Sequence, residues 1–152
     1  MKQSAGILMY RIRDNKLEML LAHPGGPFWK NKDLGAWSIP KGEYNEDEEA
    51  LTAAIREFKE ETGLLIDGAF IQLAPVKQKS GKVVQAWAVE GDADISTFVS
   101  NKFTIEWPPK SGKMVEFPEV DKWEWFGAEK AKEKVLYGQA GLLEELAELI
   151  KS

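Results

Sequence analysis

Between Asn45 and Gly63 the chain reads NEDEEALTAAIREFKEETG, and no other stretch restricts the fold as tightly. Asn45 is a residue type that caps helices, Glu48 stands three places later as a capping-box partner, and Gly63 suits the left-handed position that ends a helix. The segment therefore predicts a helix from Asn45 to Thr62. At about 100° per residue, Leu51, Ala54, Ile55 and Phe58 fall on one apolar stripe, which must be buried against a sheet. Glu57, Glu60 and Glu61 fall beside that stripe, spaced i, i+3 and i+4, so that their carboxylates share roughly one face. Like charges at that spacing repel. Two readings follow: a solvated acidic face, or a site that holds a hard divalent cation through oxygen ligands.

The rest of the chain supplies the sheet. Ser4 to Arg13 and Leu17 to His23 are β-capable runs separated by Asp14, Asn15 and Lys16, which reads as a hairpin. Pro24 to Lys41, with GGP and IPKG, is expected to be mostly loop around a short strand at Trp37 to Ile39. Ala69 to Gln78 and Lys82 to Val89 are further strands joined at Ser80 and Gly81, and Lys122 to Phe126 is another. Ala128 to Val135 and Gly141 to Lys151 read as helices, and Trp107 to Gly112 (WPPKSG) as an exposed loop. Strands mixed with a central and a terminal helix imply a layered α/β domain.

With 152 residues, 43% of them hydrophobic and six of them Trp, there is material for one core, and residues 1–152 are expected to form a single domain. The absence of cysteine excludes disulfides, thiolate metal sites and a Cys nucleophile. The apolar run near the N-terminus is too short for a signal segment, and nothing approaches the roughly 20 residues that span a bilayer. A cytoplasmic protein without a membrane partner is the expectation. The net charge of −5 opposes attraction to long nucleic acid. A small anionic nucleotide remains compatible where a cation mediates.

Gly42, Glu48, Arg56, Glu57, Phe58, Glu60, Glu61, Gly63 and Leu64 match every fixed position of the pattern Gx5Ex7REUxEExGU, where U is apolar. That pattern is the Nudix box, and the chain resembles the Nudix hydrolase family. The resemblance implies an α/β/α sandwich with a mixed β-sheet and a catalytic loop-helix-loop. It also implies hydrolysis of a phosphoanhydride bond in a nucleoside polyphosphate with Mg²⁺, or Mn²⁺ in its place. By the same resemblance Glu57, Glu60 and Glu61 are the metal-binding and catalytic carboxylates, and the Gly42 carbonyl is a further ligand. Arg56, a second basic residue placed at the substrate side with Lys41, orients a box carboxylate in the family.

The WxxPKG context around Lys41 resembles the branch of diadenosine polyphosphate hydrolases and RNA 5′-pyrophosphohydrolases, which places Lys41 on the polyphosphate and makes diadenosine tetraphosphate, cut to ATP and AMP, the leading substrate. No Tyr lies between Tyr44 and Tyr137, where the diadenosine tetraphosphate branch commonly carries one, so a nucleoside triphosphate or RNA 5′ end stays open as substrate. A nucleotide-binding module without catalysis is the remaining alternative. Glu116 and Glu119 are candidates for the loop acid that this branch adds from outside the box, with Glu119 preferred. Phe28, Trp29 and Trp87 are aromatic candidates for a nucleobase platform, with core packing favoured for Trp87. His23, the one histidine, reads as strand-end packing rather than chemistry.

Overall fold

The computed structural model describes residues 3–150; Lys151, the expected end of the last helix, lies outside them. Strands β1 (Gln3–Arg13) and β2 (Lys16–Pro24) pair antiparallel across a turn in which Asp14 and Asn15 both adopt positive φ, as a two-residue hairpin requires. After the loop of residues 25–40 comes β3 (Lys41–Glu43), which pairs with the start of β1. Then follow α1 (Ala50–Thr62), β4 (Ile71–Gln72), β5 (Val76–Lys77), β6 (Val83–Glu90), β7 (Lys102–Glu106), β8 (Met114–Pro118), β9 (Val120–Gly127), α2 (Ala128–Lys134) and α3 (Ala140–Ile150).

The main sheet runs β4-β6-β1-β2-β9, with β3 added to β1 and β5 to β6, and it is mixed because β1 and β6 are parallel while the other pairs are antiparallel. Strand alternation sends Ala5, Ile7, Met9 and Leu20 to one face, where Ala53, Ala54 and Phe58 of α1 cover them. Leu8, Tyr10, Met19 and Leu21 go to the other face, under Leu142, Leu143 and Leu146 of α3. Helices on both faces of a mixed sheet are the α/β/α sandwich expected from the resemblance.

Three local expectations need correction. The helix starts at Ala50, with its N-cap four residues later than the capping box predicted: Glu49 holds the N-cap position with no side-chain bond, and the Asn45 carbonyl only accepts the Glu48 N–H in a turn. The cause is competition, because the Glu48 carboxylate is taken by the Arg56 guanidinium in two hydrogen bonds of 3.0 Å. The other end ends as expected, with Gly63 at φ 82° and its N–H on the Lys59 carbonyl. Second, Ala69 to Gln78 is two short strands rather than one, since Pro75 has no N–H to continue the ladder and the Ala74 N–H turns to Glu145. Third, two strands beyond those expected, β7 and β8, flank WPPKSG, which is the exposed loop expected and forms the tip of their hairpin, with Phe103 opposite Phe117 and Ile105 opposite Val115 in a separate two-stranded sheet. That pairing is half-exposed and its apolar alternation short, so the turn residues stood out and the strands did not.

Candidate active site

The C-terminal end of α1, the β3 turn and the start of β9 meet at an open cleft of about 260 Å³, lined among others by Pro24, Trp29, Pro40, Lys41, Glu61 and Glu119. Each arrives by a different route. Phe58 and the two alanines press α1 onto the sheet, and the turn after Phe58 swings Glu61 inward, where it is 6% exposed. Lys41 opens β3, whose pairing Gly6↔Lys41 fixes it beside the core. Glu119 is the single residue between β8 and β9; its carbonyl accepts from Gly25 and its N–H donates to Asn101.

The carboxylates of α1 do not share one environment. Glu61 and Glu119 face each other through a hydrogen bond, and burial first, then that bond and the Glu119 charge, push the Glu61 carboxyl up to about 8, against the Ser100 hydroxyl. Glu57 is also held above the usual carboxylate range, by burial and then by the Glu60 charge. Its carboxylate lies directly over Gly42: a Cβ there would come within 2.1 Å of Glu57 Cδ, so glycine leaves the room that the side chain occupies. Glu60 is more open and bonds Arg56 at 3.0 Å.

Arg56 does not line the cleft. Its guanidinium bonds Glu48, Glu57 and Glu60, all at 3.0 Å. Arg56 thus bonds box carboxylates from outside the residues that line the cleft. The same bonds pull the Glu48 carboxyl below its usual range. Lys41 is half-buried, and burial, then the nearby Lys82 charge, lowers its pKa.

Of the other sequence candidates, Trp29 lines the cleft with the Lys32 ammonium 5.4 Å from its ring centroid. Phe28 is exposed and meets Trp107 of the hairpin edge-on, and Trp87 is core beneath α1. Glu116 sits on β8 outside the cleft, exposed, 3.7 Å from Lys102. His23 is buried, with Nδ1 2.8 Å from Asp121 and Nε2 2.6 Å from the Lys32 carbonyl, which ties the loop after β2 to β9.

Two residues that matter to this geometry carried no signal of their own in the sequence. Gln139 is fully buried; its amide accepts from the Ile39 N–H and donates to Ser38 and Gln78, fixing the segment that leads into Lys41. Ser100 touches both Glu61 and the Val120 N–H. A short polar residue in a loop reads as a turn former, and only the tertiary contacts separate these two from the rest.

Among the described residues no three His, Asp or Glu side chains close on a single point. The donor set nevertheless suits a hard cation. Glu61 and Glu119 are two carboxyls forced together in a partly buried site, where a proton or a cation must compensate, and Mg²⁺ commonly takes only one or two protein carboxylates plus phosphates and waters. The Gly42 cradle keeps Glu57 within the same region.

Residues 2–146 match the NUDIX domain family model. Over 44 residues, 29% of this chain and 17% of the relative, it is 52% identical to the mRNA-decapping protein g5R of African swine fever virus. Over 81 residues, 53% of this chain and 27% of the relative, it is 32% identical to Nudix hydrolase 7 of Arabidopsis thaliana. The matched stretches are thus well under half the length of either relative. In three dimensions the chain superposes on a C. elegans Ap4A hydrolase with a TM-score of 0.68, at 22% identity, covering 97% of this chain and 98% of that one.

Proposed function

The chain belongs to the NUDIX family, and from that premise we propose that it is a Mg²⁺-dependent pyrophosphohydrolase of nucleoside polyphosphates, with Mn²⁺ as an alternative ion and diadenosine tetraphosphate as the leading substrate. One observation carries the reading: the buried Glu61 carboxyl and the exposed Glu119 carboxyl beside it line one cleft together with Lys41 and Trp29. Such a cleft offers an acidic end for cation-bound phosphates, a fixed cation for the rest of the chain of phosphates, and an aromatic face for a base.

Glu57, Glu60, Glu61 and the Gly42 carbonyl are the residues that would hold the ion, with Glu119 added from the opposite wall. A bound divalent ion neutralises phosphate charge and lowers the pKa of a coordinated water. The remaining work belongs to the chain. Glu119 takes the proton from the attacking water, Lys41 pairs with a non-bridging phosphate oxygen, and Trp29 stacks on a nucleobase. Arg56 keeps Glu57 and Glu60 in place from behind. His23 and Asp121 hold the Trp29 loop against β9.

Diadenosine tetraphosphate is favoured by the WxxPKG context of Lys41 and by the likeness in fold to a hydrolase of that ligand. A second reading, an RNA 5′ end, is supported by the 52% identity to a decapping protein, and the net charge of −5 weighs against it. The deciding experiment incubates the protein with Mg²⁺ and a panel of dinucleoside polyphosphates, nucleoside triphosphates, nucleotide sugars and capped RNA, with products separated by chromatography. ATP and AMP from diadenosine tetraphosphate, abolished by EDTA, are expected. Turnover of capped RNA alone favours the second reading, and no turnover of any member refutes both.

A further inference from the structure

The loop between β6 and β7 passes behind the carboxyl pair. Phe98 anchors it, with its ring edge-on to Phe58 of α1 at 6.5 Å and to Trp123 of β9 at 5.1 Å. Two residues on, the Ser100 hydroxyl stands between the two walls of the cleft. Its oxygen accepts the Val120 N–H at 2.9 Å and lies 3.2 Å from Glu61 Oε2 and 2.8 Å from the Asn101 carbonyl. The single hydroxyl proton serves one acceptor at a time. The Asn101 carbonyl already receives the Glu119 N–H at 2.8 Å, and once Glu61 is ionised its carboxylate is the stronger acceptor, which directs the hydroxyl proton to it in that form.

Residues 100 and 101 therefore take up both peptide N–H groups at the β8–β9 junction, those of Glu119 and Val120, and the same serine reaches the carboxylate opposite. We propose that Ser100 is a positioning residue, whose hydroxyl sets the Glu61 carboxylate and the Glu119 backbone at the separation that the cleft chemistry needs. A loop residue satisfying only the Val120 N–H would have no reason to face Glu61. A donor set behind a ligating carboxylate fixes its rotamer and aims its other oxygen at the ligand. The placement also explains why Glu119 enters the cleft while Glu116, three residues earlier on the hairpin, does not: the chain is gripped at 119–120 by a partner that also grips α1.

This role rests on the proposed function, because it needs Glu61 and Glu119 to work as a pair. The test compares wild type with Ser100→Ala, Ser100→Cys and Ser100→Thr, measuring Mn²⁺ affinity by calorimetry without nucleotide, kcat and KM for the substrate that wild type turns over, and thermal unfolding in EDTA. Ser100→Ala should bind Mn²⁺ about tenfold more weakly, and Ser100→Thr, which restores the hydroxyl, should recover most of that loss. The kcat of Ser100→Ala should fall with the affinity while KM for nucleotide moves by less than about twofold. Ser100→Cys keeps nearly the same volume with a weak donor, so it should resemble Ser100→Ala and supplies the comparison if the alanine variant unfolds. A folded Ser100→Ala or Ser100→Cys with wild-type Mn²⁺ affinity and kcat overturns the role. So does a lower unfolding midpoint with no change in affinity, which marks a structural serine. Wild type that neither binds Mn²⁺ nor cuts any nucleotide refutes the functional reading itself, a result distinct from either.

Discussion

A carboxyl left 6% exposed, as Glu61 is, must be met by a proton, a donor or a cation, because burial disfavours the charged form. Here Glu119 and Ser100 meet it. Replacing Glu61 by Gln keeps the shape and a hydrogen-bonding amide, so the fold should survive while turnover drops at least about a hundredfold. Glu48 is expected to behave differently, since its partner is Arg56 and not the cleft. Glu48→Gln breaks a charged two-bond fork, loosens Arg56 and so shifts Glu57 and Glu60, giving a smaller loss of kcat than Glu61→Gln. Steady-state kinetics of the two variants side by side check the ordering, and equal losses would contradict it. The loop acids separate in the same way: Glu119→Gln should depress kcat with little change in KM, whereas Glu116→Gln, on an exposed pair with Lys102, should leave both near wild type.

Between elements, the close approach of β3 to α1 depends on Gly42. A methyl group there meets Glu57 Cδ at 2.1 Å, so Gly42→Ala must drive the carboxylate out of its place or part the strand from the helix. Weaker Mn²⁺ binding with a well-kept far-ultraviolet circular dichroism spectrum is the expected result, and an unchanged affinity would show that Glu57 has no part in holding the ion. The Gln139 amide is the corresponding link on the other side, joining the short turn before α3 to Ile39, Ser38 and Gln78. Gln139→Leu orphans a buried Ile39 N–H and removes the donor to the Gln78 side-chain oxygen, a cost of about 2–4 kcal/mol by the usual penalty for such groups. Chemical denaturation should report that loss as a lower midpoint at unchanged slope.

At the scale of the whole molecule, the raised carboxyls couple stability to pH. The Glu61 carboxyl stands near 8 in the folded chain against 4.5 for the free group, and Glu57 is shifted the same way. A group raised in the folded state contributes its full stabilisation below the unfolded value and loses it as pH climbs through the folded one. In EDTA the unfolding temperature should therefore fall between about pH 4.5 and about pH 8. Millimolar Mg²⁺ should reverse the fall at the alkaline end, since an ion that binds only the folded state stabilises it by mass action and replaces the proton. A melting temperature at pH 8 that ignores Mg²⁺ would sink the cation-binding assignment of these carboxylates.

What the amino-acid order determines alone is local: the Asp14-Asn15 turn, the C-terminal stop at Gly63, the apolar stripe of α1 and the run of box residues from Gly42 to Leu64. Each depends on backbone preferences or on periodicity within a few residues, which is why a layered α/β domain could be read before any coordinates, while the α/β/α sandwich came from the family resemblance. The site is different. Three box glutamates at helical spacing look equivalent in sequence, yet Arg56 claims Glu57 and Glu60 while Glu61 alone turns to Glu119, across 58 residues of chain. The start of α1 moved for the same reason, since the Glu48 carboxylate had a partner eight residues away that outbid its own backbone. Which of Glu119 and Glu116 lines the cleft, the place of Trp29 in it, and the contacts of Ser100 and Gln139 were likewise decided by tertiary structure. Desolvation and charge pairing act over a few ångströms in space, and spacing along the chain does not encode which groups will be brought within that range.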